Sequence, residues 1–201
     1  MTEIELVGID ADDTLWQSET FFAEVEEKFT ELMSKYSSDT SLEESLSSNE
    51  ISNLRVFGYG VKSFTLSMIE TAHLASGGNI ASSDIKQIIS WGKELLQHPV
   101  ILLDGAEEAI RELASNFTVY IVTKGDLLHQ RSKIEDSGLD KLVAGFDIFH
   151  EKDPESYLDF LTEKNVDPKN FLMAGNSLRS DVLPIVAIGG HACLLYTSPS
   201  P

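Results

Sequence analysis

The chain has 201 residues, with 33 Asp plus Glu against 15 Lys plus Arg for a formal charge of −18, and 42% of it is apolar. That length suits one domain, or one domain with an insertion, and the apolar fraction is enough to bury a core, which argues against wholesale disorder. The acidic balance argues against nucleic acid or an anionic membrane as partner, no run approaches the ~18–20 continuous apolar residues of a membrane span, and the N-terminus lacks a signal-peptide pattern, so a cytoplasmic protein is expected.

Residues 4–9 form an apolar run broken only by Glu5 and Gly8 and ending in Asp10-Ala-Asp-Asp-Thr14, which predicts a buried strand and a polar loop. From Phe21 onward, Phe22, Val25, Phe29, Leu32 and Met33 recur at helical spacing with acids on the other face. Residues 37–52 hold seven serines and four acids, and are expected to be a solvated loop or a poorly packed helix. Val61, Phe64, Thr65, Met68, Ile69 and Ala72 repeat the i, i+3, i+4 pattern until Gly77-Gly78 stops it, and Gly58-Tyr-Gly60 reads as a bend before this helix. Ser83 or Asp84 can cap a further helix with the stripe Ile85, Ile88, Ile89, Leu95 and Leu96, which Pro99 ends.

Beyond Pro99 the pattern alternates. A helix near 106–115 precedes the β-branched strand 119–122, and a helix near 127–137 precedes a short strand around Ile148. Asp153-Pro154 then opens a helix before the strand 171–174. This alternation predicts an α/β fold, a Rossmann-like, doubly wound parallel sheet covered on both faces, with the first strand joining the later ones. The core is expected over residues 1–17 and 100–192, interrupted by a nearly all-helical insertion over 18–99.

Residues 193–201, Cys-Leu-Leu-Tyr-Thr-Ser-Pro-Ser-Pro, match nothing earlier in composition and resemble the read-through translation of a sequencing adapter. They are expected to be a non-native tail, with the native frame ending near Ala192 and 201 a lower bound on length. The single cysteine, Cys193, then carries no information on redox compartment.

In open parallel sheets reactive groups gather where strands end at the carboxyl edge. Four polar signals fall at or just after such ends: Asp10-Ala-Asp12-Asp-Thr14, Thr123-Lys124, the region of Lys152, and Gly175-Asn-Ser-Leu-Arg-Ser-Asp181. Acids two apart in an extended segment point the same way, which suits a pair of carboxylates serving one site. The rival reading makes them caps of a helix starting near Thr14, which would not call for carboxylates at both 10 and 12. The five histidines, at 73, 98, 129, 150 and 191, show no close metal-ligand spacing and are read as structural or surface residues. Tyr59, Lys62 and Met68 are likewise read as core or surface rather than as pocket walls.

The order and placement of these four signals resemble the haloacid dehalogenase-like hydrolase superfamily, with its Asp-x-Asp-x-Thr, strand-terminal Thr, lone Lys and Gly-Asp-x-x-x-x-Asp motifs, over residues 4 to about 192. The resemblance implies a metal-dependent phosphatase that hydrolyses a small phosphorylated metabolite, such as a nucleotide or sugar phosphate, through an aspartyl-phosphate. Asp10 is the implied nucleophile, and Asp12 the implied acid and base whose backbone carbonyl also faces the metal. Thr123, Lys124 and Lys152 are implied to bind the phosphoryl group, Lys124 being the weaker rival of Lys152 for balancing charge. Asp10, Asp12, Asn176 and Asp181 are implied to hold Mg2+, and the insertion is implied to be a C1-type cap that selects substrate by shape.

One position departs from the pattern: Asn176 stands where the fourth motif has its first acid, so either weaker metal binding or a larger share carried by Asp181 is expected. The dehalogenase branch lacks the second Asp and needs no metal, so Asp12 favours phosphate ester hydrolysis. Two alternatives remain, a 2-haloacid dehalogenase and a binding or regulatory module with little turnover on the same fold. Neither oligomeric state nor the particular substrate leaves a trace in the sequence.

Overall fold

A computed structural model describes residues 3–36 and 41–195. In chain order, β1 (Leu6–Ile9) leads into four helices, α1 (Glu19–Met33), α2 (Leu42–Phe57), α3 (Val61–Ala75) and α4 (Ser82–Leu96). There follow α5 (Ala106–Asn116), β2 (Thr118–Lys124), α6 (Leu127–Ser137), β3 (Gly145–Phe149), α7 (Pro154–Lys164), β4 (Phe171–Gly175), α8 (Leu183–Ala187) and β5 (His191–Leu194). The chain divides into two compact units, Met1–Ser18 with Val100–Pro201, and Glu19–Pro99.

The first unit is built on a five-stranded sheet in the order β3-β2-β1-β4-β5 with every neighbouring pair parallel. Its strands are short and alternate their side chains between two buried layers, as the period of two requires. Val7, Ile9, Val119 and Ile121 pack with Ala106 and Ile110 of α5 and Ile134 of α6. Leu6, Val122, Phe171 and Met173 pack on the other face with Tyr157, Phe160 and Leu161 of α7 and Ile185 of α8. Helices on both faces are what parallel strands need, because crossovers carry the chain back over the sheet. Ile9 is level with Ile121 on one side and with Ala174 on the other, so residues just after β1, β2 and β4 emerge together at the carboxyl edge. Strand order reverses at β1 and β4, the place where such sheets open a crevice.

The second unit packs α1, α3 and α4 around Phe29, Met33, Phe64, Met68, Ile88 and Trp91. Gly92 lets α3 and α4 approach closely, since a Cβ there would overlap the Thr65 side chain. The serine-rich stretch, expected to be a solvated loop or a poorly packed helix, supplies a helix with a thin buried stripe from Leu42, and residues 37–40 lie outside the described residues. α2 buries only Leu42, Leu46 and Asn53. Polar contacts supplement this thin stripe: Asn53 Nδ2 donates to Ser67 Oγ at 3.0 Å and Glu70 Oε2 at 2.9 Å, and Asn49 Nδ2 donates to Thr71 Oγ1 at 2.8 Å. Among the described residues no helix is long and apolar enough to cross a membrane.

The helix after the first strand starts at Glu19 and not near Thr14, with a tight turn at residues 13–15, where Asp13 takes a positive φ of 57°. One further expectation needs correcting. Cys193 and Leu194, grouped with the tail on composition, belong to β5, and Leu195 N donates to Gly175 O at 2.8 Å. Parallel pairing uses backbone groups alone, so unusual side-chain composition does not bar a segment from the sheet. Residues 196–201 of that tail lie outside the described residues.

Candidate active site

Asp10 follows β1, Thr123 is the penultimate residue of β2, Lys152 comes three residues after β3, and Asp181 lies in the π-helical turn Leu178–Val182 after β4. The sheet therefore delivers four segments, remote in sequence, to one edge. All four of these side chains are buried, which is costly for charged groups unless they are paired.

Lys152 supplies the pairing. Its Nζ donates to Asp10 Oδ1 at 2.5 Å and to Asp181 Oδ1 at 2.6 Å, and only 2% of its side chain is exposed. The outer oxygens are also occupied: Thr14 Oγ1 donates to Asp10 Oδ2 at 3.1 Å, and Ser177 N donates to Asp181 Oδ2 at 2.9 Å. Thr14 in turn accepts from Asn176 N at 3.1 Å, tying the first motif to the fourth. Burial drives the Asp10 carboxyl up to about 6, with Lys152 opposing and Asp181 reinforcing the rise. Burial works against the Lys152 ammonium, yet the two carboxylates outweigh it and raise its pKa above the usual value. Gly175 is fitted to this arrangement, because a Cβ there would overlap the Asp181 carboxylate and lie 2.8 Å from Asp10 Cβ.

Asp12 is held apart from that triad. Trp16 Nε1 and Lys133 Nζ donate to its Oδ1 at 2.7 and 2.5 Å, and Gln130 Nε2 donates to its Oδ2 at 2.6 Å. Burial pushes this carboxyl upward, but the Lys133 ammonium and the hydrogen bonds from Lys133, Gln130 and Trp16 prevail and leave it below its usual value. Its side chain stays 28% exposed, against 10% for Asp10 and none for Asp181, so among the three it is the most open to solvent.

Thr123 is joined to Asp12 through the same amide, since Gln130 Nε2 also lies 3.2 Å from Thr123 Oγ1 and donates to Lys124 O at 2.7 Å. Lys124 pairs with Glu151 at 2.7 Å, so it is Lys152 that the structure places on Asp10. Of the backbone amides after Thr123, that of Gly125 donates to Phe149 O at 3.3 Å. Of the four residues expected to hold a metal, Asp10 and Asp181 come together, Asn176 is linked through its backbone, and Asp12, expected to face the metal through its backbone carbonyl, has its carboxylate on Lys133, Gln130 and Trp16. Among the described residues no group of three or more His, Cys, Asp and Glu side chains is gathered as a metal site.

Four residues at the site carried no sequence signal strong enough to single them out for it. Trp16 reaches it through the turn after β1, as does Thr14 of the first motif. Gln130 and Lys133 reach it from α6, and the available hint was a glutamine four residues before Ile134 on the helix's buried face. Tyr157 of α7 is fully buried and donates from Oη to Ser180 O at 3.1 Å. Burial, with Asp181 and Asp10 nearby, drives its hydroxyl far above the normal phenol range and keeps it neutral.

The family model for haloacid dehalogenase-like hydrolases matches residues 4–189. A haloacid dehalogenase-like family hydrolase from Xanthomonas campestris is 43% identical, with a TM-score of 0.93 over 98% of this chain and 84% of its own. The HAD-hydrolase YfnB of Bacillus subtilis is 20% identical, with a TM-score of 0.67 over 96% of this chain and 87% of its own. A 2-haloacid dehalogenase from Pseudomonas syringae pv. Tomato is 18% identical, with a TM-score of 0.64 over 94% and 85%. No curated protein matches the sequence. The strand order, the carboxyl-edge triad and the match across nearly the whole chain converge on one conclusion: this chain belongs to the haloacid dehalogenase-like hydrolase family.

Proposed function

We propose that the protein is a phosphatase that hydrolyses a small phosphomonoester through an aspartyl-phosphate on Asp10, with Mg2+ as cofactor. The observation that carries this reading is the second carboxylate: Asp12 shares the Gln130 amide with Thr123 and is the most open of the three acids. A dehalogenase has no use for such a group as an acid, because its leaving halide needs no proton. An alkoxide leaving group does.

In this reading an Asp10 oxygen attacks phosphorus and the bond from phosphorus to the ester oxygen breaks. Lys152 orients Asp10 and offsets its charge, and Thr123 donates to a phosphoryl oxygen. The approaching phosphate dianion favours proton uptake on Asp12, since a nearby like charge raises a carboxyl pKa. Asp12 passes that proton to the departing oxygen, then takes one from the water that attacks phosphorus. The Asp10–phosphorus bond breaks, and inorganic phosphate leaves with Asp10 restored.

Two buried carboxylates around one ammonium leave one negative charge uncompensated, and all the side-chain donors are hard oxygens, which suits a divalent cation. Asp10, Asp181 and the Asn176 amide would hold Mg2+, with the Asp12 carbonyl, and when bound it would supply positive charge to the phosphoryl oxygens. The Bacillus subtilis hydrolase is described as bound to magnesium. A panel of phosphomonoesters with and without Mg2+ tests the proposal. Metal-dependent phosphate release that Asp10→Asn abolishes is expected, and release indifferent to that substitution would refute it. Halide release from 2-haloacids without metal would assign the protein to the dehalogenases instead.

A further inference from the structure

The contacts of Asp12 ask more of α6 than a surface helix normally gives. Gln130 and Lys133 are three residues apart, hence one turn apart on one face, and both reach back to a residue more than a hundred positions earlier in the chain. Neither placement is neutral. Gln130 is only 4% exposed, and its Oε1 finds no hydrogen-bond partner among the described residues. A buried amide with an orphaned carbonyl would ordinarily turn over to satisfy it. Here the turn would aim Oε1 at the Asp12 carboxylate and the Lys124 carbonyl, two acceptors, so those groups fix the amide as it stands. Gly125, at φ 139°, also makes room for it, since a Cβ there would come within 3.1 Å of Gln130 Nε2. Lys133, with 15% of its side chain exposed, gives up most of its hydration to sit on Asp12 and lies 5.9 Å from the Trp16 ring.

We infer that Gln130 and Lys133 are positioning residues, a two-point clamp that holds both Asp12 oxygens in the orientation needed for proton transfer. The inference rests on the phosphatase reading, in which Asp12 is the group that moves the proton. A carboxylate between a strand end and a tight turn is otherwise free to rotate about two bonds. Proton transfer requires heavy atoms about 2.6–3.2 Å apart, so orientation lost is rate lost. Trp16 supports the clamp from below, as its fully buried indole cannot follow a moving partner.

The test compares Lys133→Met, Lys133→Arg, Gln130→Met, Asp12→Asn and the Asp12→Asn/Lys133→Met double variant. An alkyl phosphate and para-nitrophenyl phosphate serve as substrates, the second having a leaving group that departs without a proton. Lys133→Met and Gln130→Met are expected to lower kcat about 10- to 100-fold on the alkyl ester with KM little changed, and to cost much less on the nitrophenyl ester. Lys133→Arg should recover most of the loss, and the double variant should be no slower than Asp12→Asn alone, as for residues acting through one another. Losses equal on both substrates, confined to KM, or additive with Asp12→Asn would overturn the clamp. A second readout needs no turnover. The indole N–H signal of Trp16 should move in both clamp variants, while Trp91, the only other tryptophan, provides the reference. A Trp16 signal that stays in place overturns the inference. Failure of the wild-type protein to release phosphate would instead overturn the phosphatase reading, with the Trp16 signal still deciding whether the clamp exists.

Discussion

Replacing Lys152 with Met would remove the one ammonium between Asp10 and Asp181 while keeping an unbranched side chain of similar length. The two carboxylate oxygens now bound to Nζ are no more than about 5 Å apart, so at an effective dielectric near 20 their bare repulsion is about 3 kcal/mol. That agrees with the ~3–5 kcal/mol cost of breaking a buried ion pair. For a chain of this size it corresponds to a drop of roughly 6–20 °C in the melting transition of the sheet unit. The cost should depend on pH with a definite sign. Without Lys152, the folded-state pKa of Asp10, already about 6, rises further above its unfolded value of 3.8. At this carboxyl the folded variant then holds more protons than the unfolded chain, so its contribution to stability is greatest below pH ~4 and is lost as pH rises through the raised pKa. Thermal melts of wild type and Lys152→Met at pH 5 and pH 8 measure this directly. A smaller gap at pH 5 than at pH 8 is expected. A gap of equal size at both, or one below about 2 °C throughout, would show that the triad does not carry the charge balance assigned to it.

Gly175→Ala should lose nearly all activity and about 1–3 kcal/mol of stability, because the Asp181 carboxylate that the new methyl would meet is pinned by Lys152 and Ser177 and cannot swing aside; phosphate release and urea titration check both. In the helical unit, burial with Glu26 beside it raises the Glu50 carboxyl to about 7 from 4.5. A carboxyl raised in the fold stabilises below its unfolded pKa and loses that contribution as pH climbs through the folded one. Glu50→Gln is therefore expected to raise the melting temperature at pH 8 by a few degrees and to change it little at pH 4, as calorimetry at the two pH values would show.

Much of the sheet unit was legible in the sequence because its signals are local. The runs that became β1, β2 and β4 are apolar and bounded by polar loops, and the helices α3, α4 and α7 announce themselves by stripe or cap. α2 was not legible as a packed helix, since part of what holds it is the pairing of Asn49 and Asn53 with residues of α3, which no periodicity records. β5 is four residues long and half-exposed, below what composition can distinguish from a tail. At the site, Asp10, Thr123, Lys152 and Asp181 were legible because the polar signals near strand ends stand in the order of the family's motifs, which the resemblance turns into roles. Gln130 and Lys133 were not, because their role depends on where α6 lands against the first loop, a fact of tertiary structure. Thr14, the last residue of the first motif, links that motif to the fourth, a contact that no local signal records.

The central position of β1 has a consequence for how the protein reaches its native state. Its hydrogen-bonding partners are residues 118–121 on one side and 171–174 on the other, so the strand that leads to Asp10 has no neighbour in the sheet close to it in sequence. The entropy of closing both long loops falls due before any contact around Lys152 can form. The four helices between can gather their core from contacts within 81 consecutive residues, Glu19–Pro99, while the carboxyl edge draws on nearly the whole chain. The contacts around Lys152 therefore draw on residues from Asp10 to Asp181, and a chain shortened within that span would forfeit them.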